Sequence, residues 1–341
     1  MAYHHSGTCK ESGLNKKQAL PETVRDSESV TYQKPVIGDF AHGMTVLSAS
    51  AVSNPSPMRS TKKGRPLFCI FADMVIVRKN MKKSLMFAAV LILLASCTSE
   101  PKPTWSEEFD GDEIDWTTWS KIPRTNPGPA WKIHMSDYDG CFELRDGCLV
   151  LKGIVNPGLE GDDSPILTGG LWTRDKKSFG YGRLEIRAKI GEAQGAWPAL
   201  WMMPQAGEPM RENEYGGEID ICEKLNFDDI AHQTLHTRFT LTDSLNVGPK
   251  HSSTGPIKRN EFNVYAVEHY RDSIKLFINN VCTLTYKRLP EFGPLQWSFD
   301  KQYALYVDMQ VGAPWPGEAK LEDLPVEMAI DWIRYYEYPD E

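Results

Sequence analysis

The chain has 341 residues, of which 41% are hydrophobic and 25% charged, enough for one large domain or two modest ones. Residues 1–97 carry a net charge of +7, so residues 98–341 carry −15 and would repel nucleic acids and anionic membrane surfaces, which excludes both as partners. Ten Trp and thirteen Tyr in this acidic chain favour a surface that stacks on flat, uncharged ligands.

Residues 81–97 have the three parts of an export signal. Lys82 and Lys83 form a positive start, Ser84–Ala95 a short apolar core, and small residues precede Cys97. A helix needs about 20 apolar residues to span a bilayer, and this core is shorter. The ending resembles a bacterial lipobox, so we predict an exported lipoprotein, anchored to the outer membrane or cell surface through a lipid on Cys97. A buried helix or strand pair within a larger fold is the alternative.

The residues on either side of this signal are expected to carry no function. Residues 1–80 are rich in Ser, Lys and Pro and lack sustained periodicity. They are therefore either a start-site artefact, with Met81 the true initiator, or a disordered leader. Residues 98–104 (TSEPKPT) indicate a short tether between the anchor and the globular domain.

From residue 105 to residue 339 the chain consists of short alternating segments separated by Gly, Pro, Asn and Asp, without a linker or an internal repeat. Hairpins are predicted at Arg145-Asp146-Gly147 and at Asn279-Asn280. No segment keeps a 3.6-residue apolar period long enough for a major helix. We therefore predict one all-β domain, a two-sheet antiparallel β-sandwich of the jelly-roll type with an open cleft on its concave face. The predicted strands are Cys141–Leu144, Cys148–Lys152, Gly182–Ile190, Ser273–Ile278, Val281–Tyr286 and Met328–Tyr338.

The seven cysteines do not form a metal-binding pattern, because no C-x-x-C is present and no His stands at zinc-ligand spacing from a Cys. Cys141 and Cys148 flank a short turn and could form a disulfide. Spacing alone cannot establish that bond, because it depends on the distance and direction between the two side chains.

The segment Gly216–Glu223 (GGEIDICE) places three carboxylates within six residues. On a strand, alternate residues share a face, so Glu218 and Asp220 point together while the isoleucines between them pack into the core. Strict alternation would turn Glu223 to the opposite face. A one-residue β-bulge at Ile221–Cys222 would return it, and would align a short Asp between two longer Glu side chains.

That layout suits a glycosidase that works by double displacement. The two Glu carboxyls can approach to about 5–5.5 Å, the spacing typical of retention of anomeric configuration. One would attack the anomeric carbon, while the other would protonate the leaving oxygen and later activate water. The Asp between them would orient the nucleophile and raise the pKa of the acid. A solvated acidic strand face and a calcium site remain alternatives for the same pattern.

Six motifs in order over about 230 residues resemble glycoside hydrolase family 16, which includes laminarinases, lichenases, agarases and endo-β-galactosidases. This resemblance implies that Glu218 is the nucleophile, Asp220 the helper and Glu223 the acid/base, with no cofactor required for catalysis. The motifs are Tyr181–Glu185 (YGRLE), Gly195–Met202 (GAWPALWM), Glu218–Glu223, His232–His236 (HQTLH), Val311–Gly317 (VGAPWPG) and Ala329–Tyr335 (AIDWIRY).

The same resemblance suggests residues that would contact a sugar. An indole can stack on the apolar face of a sugar, although Trp also serves in core packing. We expect a carbohydrate chain as the partner and a monomeric protein. The predicted contacts are Trp197, Trp201, Trp315 and His236, with Trp131, His134 and Tyr215 as weaker candidates. A structural calcium ion would bind Glu108, Gly147 and Asp331, where some relatives hold one.

Two departures from the family bear on the substrate. Glucan-cleaving relatives commonly carry a Trp-Pro pair just before the active strand, whereas Arg211–Gly217 has no Trp. Many glucanases have Gly-Gly-x-Trp where this chain has Gly312-Ala313-Pro314-Trp315. A galactosyl unit, with its axial O4, would collide with such a Trp, so its absence favours β-galactosyl linkages such as Galβ1,4-GlcNAc. A β-1,3- or mixed-linkage glucanase, a transglycosylase and a non-catalytic glycan-binding lipoprotein are the alternatives.

Overall fold

The computed structural model describes residues 101–125, 127–209, 216–243 and 248–339. The predicted leader (1–80), the signal peptide with Cys97 and the first residues of the predicted tether lie outside the described residues. Within the described ranges, no helix is long and apolar enough to cross a membrane.

The described residues form sixteen β-strands and a few short helical turns. The strands are β1 (Trp105–Glu107), β2 (Ser120–Lys121), β3 (Phe142–Arg145), β4 (Cys148–Val155), β5 (Ile166–Thr168), β6 (Gly170–Trp172), β7 (Gly182–Ile190), β8 (Ala196–Pro204), β9 (Glu218–Glu223), β10 (Ile230–His236), β11 (Ser252–Pro256), β12 (Asn263–His269), β13 (Ser273–Ile278), β14 (Val281–Lys287), β15 (Tyr303–Val311) and β16 (Val326–Glu337). The helical segments are 3-10 turns at Ala130–Lys132, Asp139–Cys141, Pro290–Leu295 and Leu321–Asp323, and a π turn at Phe239–Asp243.

These strands form two antiparallel sheets. The nine-stranded sheet has the order β14-β13-β12-β7-β16-β4-β3, with β1 paired to β16 and β5 paired to β4. The seven-stranded sheet has the order β11-β10-β9-β8-β15-β6-β2. The prediction of an all-β, two-sheet antiparallel sandwich is confirmed, and the part of the chain that the structure describes contains no α-helix.

The predicted strands match the observed ones to within a few residues at most. The strands Gly182–Ile190 and Ser273–Ile278 have the predicted bounds, and both predicted hairpins form. Their turns use residues with positive φ, +54° and +70° at Asp146 and Gly147, and +50° and +64° at Asn279 and Asn280. Asp, Asn and Gly are the residues that adopt this conformation at the lowest cost, so the turn prediction rested on the correct chemistry.

Two details at the edges of the predicted elements differ. Cys141 lies in a 3-10 turn before β3, and the thiols of Cys141 and Cys148 are both free, so the disulfide considered from their spacing does not form. Thr104, assigned to the tether, bonds to the sheet: its backbone N–H donates to the Tyr335 carbonyl at 2.7 Å. The ordered domain therefore begins at least one residue earlier than predicted.

The main core lies between the two sheets and follows from the period-two pattern of the strands. In β7, for example, Leu184, Ile186 and Ala188 are buried while the residues between them are more exposed. Burying one such large aliphatic side chain contributes about 1.5–3 kcal/mol. The seven-stranded sheet also carries a smaller apolar cluster on its outer face, away from this core, and the functional side chains lie beside it. The buried members are Ile122, Met135, Ala199, Trp201, Ala304 and Tyr306.

Candidate active site

The predicted bulge is present in β9 and brings the three carboxylates to one face. Along β8 the register runs from Leu200 opposite Cys222 directly to Trp201 opposite Asp220, so Ile221 is the extra residue. The pairing of β9 with β10 shifts at the same place. Ile221 and Cys222 both pack into the main core. Two consecutive inward side chains return Glu223 to the outer face, as the sequence predicted.

Gly217 sets the start of this strand. Its φ is +81°, a conformation that favours glycine, and an added Cβ would lie 2.6 Å from the backbone oxygen of Ser298. The residue before Glu218 is therefore fixed by backbone geometry as well as by space.

Glu218, Asp220 and His236 form one hydrogen-bonded group. His236 stands opposite Glu218 in the β9–β10 register, and its Nε2 lies 3.2 Å from Oδ2 of Asp220. The carboxyls of Glu218 and Asp220 also share a hydrogen bond. Asp220 is only 3% exposed, so His236 supplies much of the charge compensation that a buried carboxylate requires.

Burial and mutual repulsion raise the pKa of each carboxyl in this group. Burial, and then the charge of Asp220, raises the pKa of Glu218 to about 7, against the opposing effect of His236. Burial raises the pKa of Asp220, and the hydrogen bond from His236 opposes that increase. The pKa of His236 is raised, because the pull of Asp220 exceeds the effect of burial. Asp220 therefore stabilises the protonated form of His236, and His236 stabilises the ionised form of Asp220.

Glu223 is a buried carboxyl whose surroundings favour the protonated form. Burial, and then the charge of Asp220, raises its pKa well above the ordinary value. The indole Nε1 of Trp197 donates to its Oε1 at 2.9 Å and opposes this increase. A carboxyl that stays protonated near neutral pH can donate a proton to a leaving oxygen, while Glu218 is able to ionise nearby.

Two of the predicted sugar-stacking residues meet beside Glu223. The rings of Trp197 and Trp315 lie 5.4 Å apart edge to face, and His232 lies 5.2 Å from Trp315. Trp315 is 47% exposed, so one large indole face is open to a ligand. His232, which pairs with Glu223 in the register, was not singled out from the sequence.

A second aromatic group lies on the β8, β15 and β6 side of the trio. The rings of Trp201 and Tyr306 lie 4.4 Å apart, tilted by 36°, and Trp131 meets Trp201 edge to face at 4.9 Å. Trp172, also not predicted, lies 5.3 Å from Tyr306. Trp201 is 6% exposed and packs in the apolar cluster, so its buried indole leaves little surface for the predicted sugar contact. Trp131 and Trp172 are the partly exposed members of this group.

Asp308 is a buried carboxyl that sequence reasoning missed. It lies on β15, fully buried, and accepts hydrogen bonds from Nε1 of Trp201 at 2.9 Å and from Nε2 of Gln310 at 2.7 Å. Burial raises its pKa to about 7, and Asp220 adds to the increase. The available signal was an Asp and a Gln at alternate positions in the otherwise apolar run Tyr303–Val311.

The two remaining weaker candidates are His134 and Tyr215. His134 bonds through Nδ1 to Oγ of Ser164 at 2.9 Å, and Tyr215 lies outside the described residues. The carboxylate of Glu108 pairs with Arg334 at 2.8 Å.

The contacts of the residues predicted to bind calcium do not support that prediction. Asp331 pairs with Arg187, as Glu108 does with Arg334, so an arginine already neutralises each carboxylate. Gly147 lies in the turn between β3 and β4. The calcium site stays a prediction. Among the described residues, the one acidic or His group close enough to share a metal ion is Glu218, Asp220 and His236, whose ligand atoms lie within 4.8 Å.

Comparison with known proteins is consistent with this geometry. The chain is 31% identical over 243 residues to a keratan-sulfate endo-1,4-beta-galactosidase from Sphingobacterium multivorum, covering 71% of this chain and 56% of that enzyme's length. It is 30% identical over 291 residues to a beta-glucanase from Rhodothermus marinus, covering 77% of this chain and 96% of that protein.

The chain is similar in fold to a solved structure from work on endo-acting O-glycanases. Prominent members of the human gut microbiota express these enzymes to initiate mucin breakdown. The match to that structure has a TM-score of 0.59 and 27% identity, covering 70% of this chain and all of that one. Residues 163–334, which include β9 and its three carboxylates, match the glycosyl hydrolases family 16. The chain belongs to glycosyl hydrolase family 16.

Proposed function

We propose that this protein is a retaining endo-β-glycosidase with Glu218 as the nucleophile, Glu223 as the acid/base and Asp220 as the residue that orients the nucleophile. The observation that carries the proposal is the bulge at Ile221, which aligns three carboxyls on one face of β9. Their unequal surroundings suit two roles, because burial raises the pKa of Glu223 well above its ordinary value, whereas His236 opposes that increase at Glu218 and Asp220.

Two steps would complete one turnover. In the first, an oxygen of ionised Glu218 bonds to the anomeric carbon as the glycosidic C–O bond breaks, and Glu223 gives its proton to the leaving oxygen. In the second, Glu223 takes a proton from water, the water oxygen attacks the anomeric carbon, and Glu218 leaves as a carboxylate. The indole of Trp197 holds Oε1 of Glu223 and leaves its other oxygen for the proton transfer.

The catalytic roles are tested by Glu218→Gln, with the exposed Glu113→Gln as a matched control. The first variant should lose turnover while it still folds and binds substrate, because the amide keeps the shape but cannot attack carbon. NMR of the wild-type reaction should show the β-anomer before mutarotation. Near-normal turnover by Glu218→Gln, or α-anomer as the first product, would contradict the assignment.

For the substrate we favour internal β-galactosyl linkages in Galβ1,4-GlcNAc chains, as in poly-N-acetyllactosamine and mucin O-glycans. Support comes from the lack of a Trp in Arg211–Gly217 and from the similarity to an endo-1,4-beta-galactosidase. The competing β-1,3- or β-1,3(4)-glucanase is favoured by the match along nearly the whole Rhodothermus enzyme. Parallel incubation with poly-N-acetyllactosamine, laminarin and barley β-glucan decides between them. Oligosaccharide release from a glucan alone would reject the galactosyl substrate.

We also propose that the protein is exported and anchored by a lipid on Cys97, from the pattern of residues 81–97. Cys97→Ala should move the protein out of the membrane fraction, and the mature N-terminus should be Cys97. Detection of residues 1–80 in the mature protein by mass spectrometry would contradict this location.

A further inference from the structure

Two positive side chains lie on the second aromatic group of the outer face. Nζ of Lys132 lies 5.1 Å from the ring centroids of both Trp131 and Trp172. The guanidinium carbon of Arg174 lies 5.6 Å from the ring of Trp172. Both cations therefore share Trp172, although the chain after residue 97 is strongly acidic.

A cross-strand row of side chains connects these cations to the catalytic strand. Trp172 of β6 is opposite Tyr306 of β15, Tyr306 is opposite Trp201 of β8, and Trp201 is opposite Asp220 of β9. At about 4.8 Å per strand, three steps place Trp172 roughly 14 Å from Asp220. A glycan chain cleaved at β9 and lying across the strands in this direction would bring a sugar a few units away onto Trp172.

Other lysines in the described chain pair with a carboxylate, which Lys132 does not. Lys121, for example, lies 2.6 Å from a carboxylate oxygen of Asp139. Within the described residues, the ammonium of Lys132 has no hydrogen-bond or ion-pair partner, although the backbone of this residue bonds to Pro129 and Met135. Burial and then the charge of Arg174 lower its pKa, against the attraction of Asp308. It is a partly desolvated cation beside a like charge, an arrangement that an anion between the two would stabilise.

Arg174 is available for the same ligand. Its side chain is 46% exposed, it lies 4.0 Å from the carboxylate of Asp175, and it bonds to the hydroxyl of Tyr306. A guanidinium with free N–H groups binds sulfate or carboxylate oxygens in a fork geometry.

We infer that Lys132 and Arg174 form a subsite for a negatively charged substituent of the glycan, a sulfate ester or a sugar carboxylate, on a unit stacked at Trp172. The inference rests on the proposed endo-glycosidase function and extends it from neutral chains to anionic ones. The competing explanation is that the cations only stabilise the indoles beneath them through cation–π contacts.

The experiment compares Lys132→Met with Lys189→Met. Lys189 is an exposed lysine of the other sheet that also lies over an aromatic ring, Phe262, at 5.4 Å. The substrates are neutral, sulfated and sialylated forms of poly-N-acetyllactosamine. Lys132→Met should lower kcat/KM on a charged form about tenfold and on the neutral form less than twofold. Lys132→Arg should keep the wild-type preference, and Arg174→Met should act like Lys132→Met without a change in folding.

Comparison of the sulfated and sialylated substrates identifies the substituent. Loss on the sulfated polymer alone assigns a sulfate ester, and loss on the sialylated polymer alone assigns a carboxylate. Equal effects on neutral and charged chains would overturn the inference, and so would a loss in Lys189→Met of the same size.

A binding measurement tests the subsite independently of whether the proposed substrate is correct. Glu218→Gln is titrated calorimetrically with neutral and sulfated oligosaccharides of both the lactosamine and the laminarin series. Whichever backbone binds, the sulfated form should bind more tightly, and Lys132→Met should remove that difference. If neither backbone binds and neither is cleaved, the proposed function fails. If neutral chains are cleaved but the charged forms gain nothing, only the subsite fails.

Discussion

Asp308→Asn should gain stability relative to the wild type as the pH rises. The wild-type carboxyl is fully buried and accepts from Trp201 and Gln310. Oε1 of Gln310 is buried without a hydrogen-bond partner. In the variant, the amide oxygen of residue 308 would still accept from Trp201. A flipped Gln310 would then accept from the new amide N–H₂, but its own N–H₂ would turn to the buried side where Oε1 has no partner. The exchange therefore removes a titrating charge at a cost in unpaired donors that does not depend on pH.

The magnitude follows from the pKa of Asp308, raised by burial to about 7 from an ordinary 3.8. A raised folded-state pKa means that the stability contributed by the proton is complete below pH 3.8 and is lost as the pH rises through 7. Each pH unit in this window costs about 1.4 kcal/mol, so the full loss is on the order of 4 kcal/mol. The asparagine, which does not titrate, avoids this loss.

Urea denaturation at pH 5 and at pH 8 would measure the effect, with the exposed Asp112→Asn as a control. The difference in unfolding free energy between Asp308→Asn and wild type should grow by about 2–3 kcal/mol between these pH values, and the control should change little. A difference that is independent of pH would show that Asp308 is not protonated on folding, and the argument from burial would be refuted.

Three further predictions concern the catalytic strand and its neighbours. Glu223→Gln should slow substrates with poor leaving groups far more than activated aryl glycosides, because only the former need protonation; equal slowing would contradict its role as the acid. Trp197→Phe removes the donor that lowers the pKa of Glu223, so the alkaline limb of the kcat/KM profile should move to higher pH, and an unmoved limb would refute the role of that bond. Gly217→Ala forces a Cβ to 2.6 Å from the Ser298 oxygen at a φ of +81°, so denaturant titration should show a loss of about 1–3 kcal/mol of unfolding free energy. The loss should exceed that of Gly207→Ala, where φ is also positive (+84°) but the added Cβ meets no atom within 4 Å, and equal losses would show that the close contact adds nothing.

The sequence was sufficient for features that depend on neighbours along the chain. Period-two alternation identified the strands, and Asp-Gly and Asn-Asn identified two hairpin turns. The spacing of Glu218, Asp220 and Glu223 required a bulge if all three were to share a face, and the bulge is present. Each of these predictions depends on backbone geometry within about ten residues, which local residue types control.

The tertiary structure decided what lies beside the catalytic strand. Asp308 approaches Trp201 because β15 and β8 are neighbours in the sheet although they are far apart in the chain. Lys132 approaches Trp172 because the turn Ala130–Lys132 packs against β15, which pairs with β6. Strand order and register determine such contacts, and neither can be read from the alternation of a single strand. Trp201 is buried within β8, whereas Trp315 lies in the turn after β15 and is exposed, so two tryptophans next to similar sequence motifs have different surroundings. Local pattern determined which residues could share a face, and the packing of distant strands determined which of them a glycan can reach.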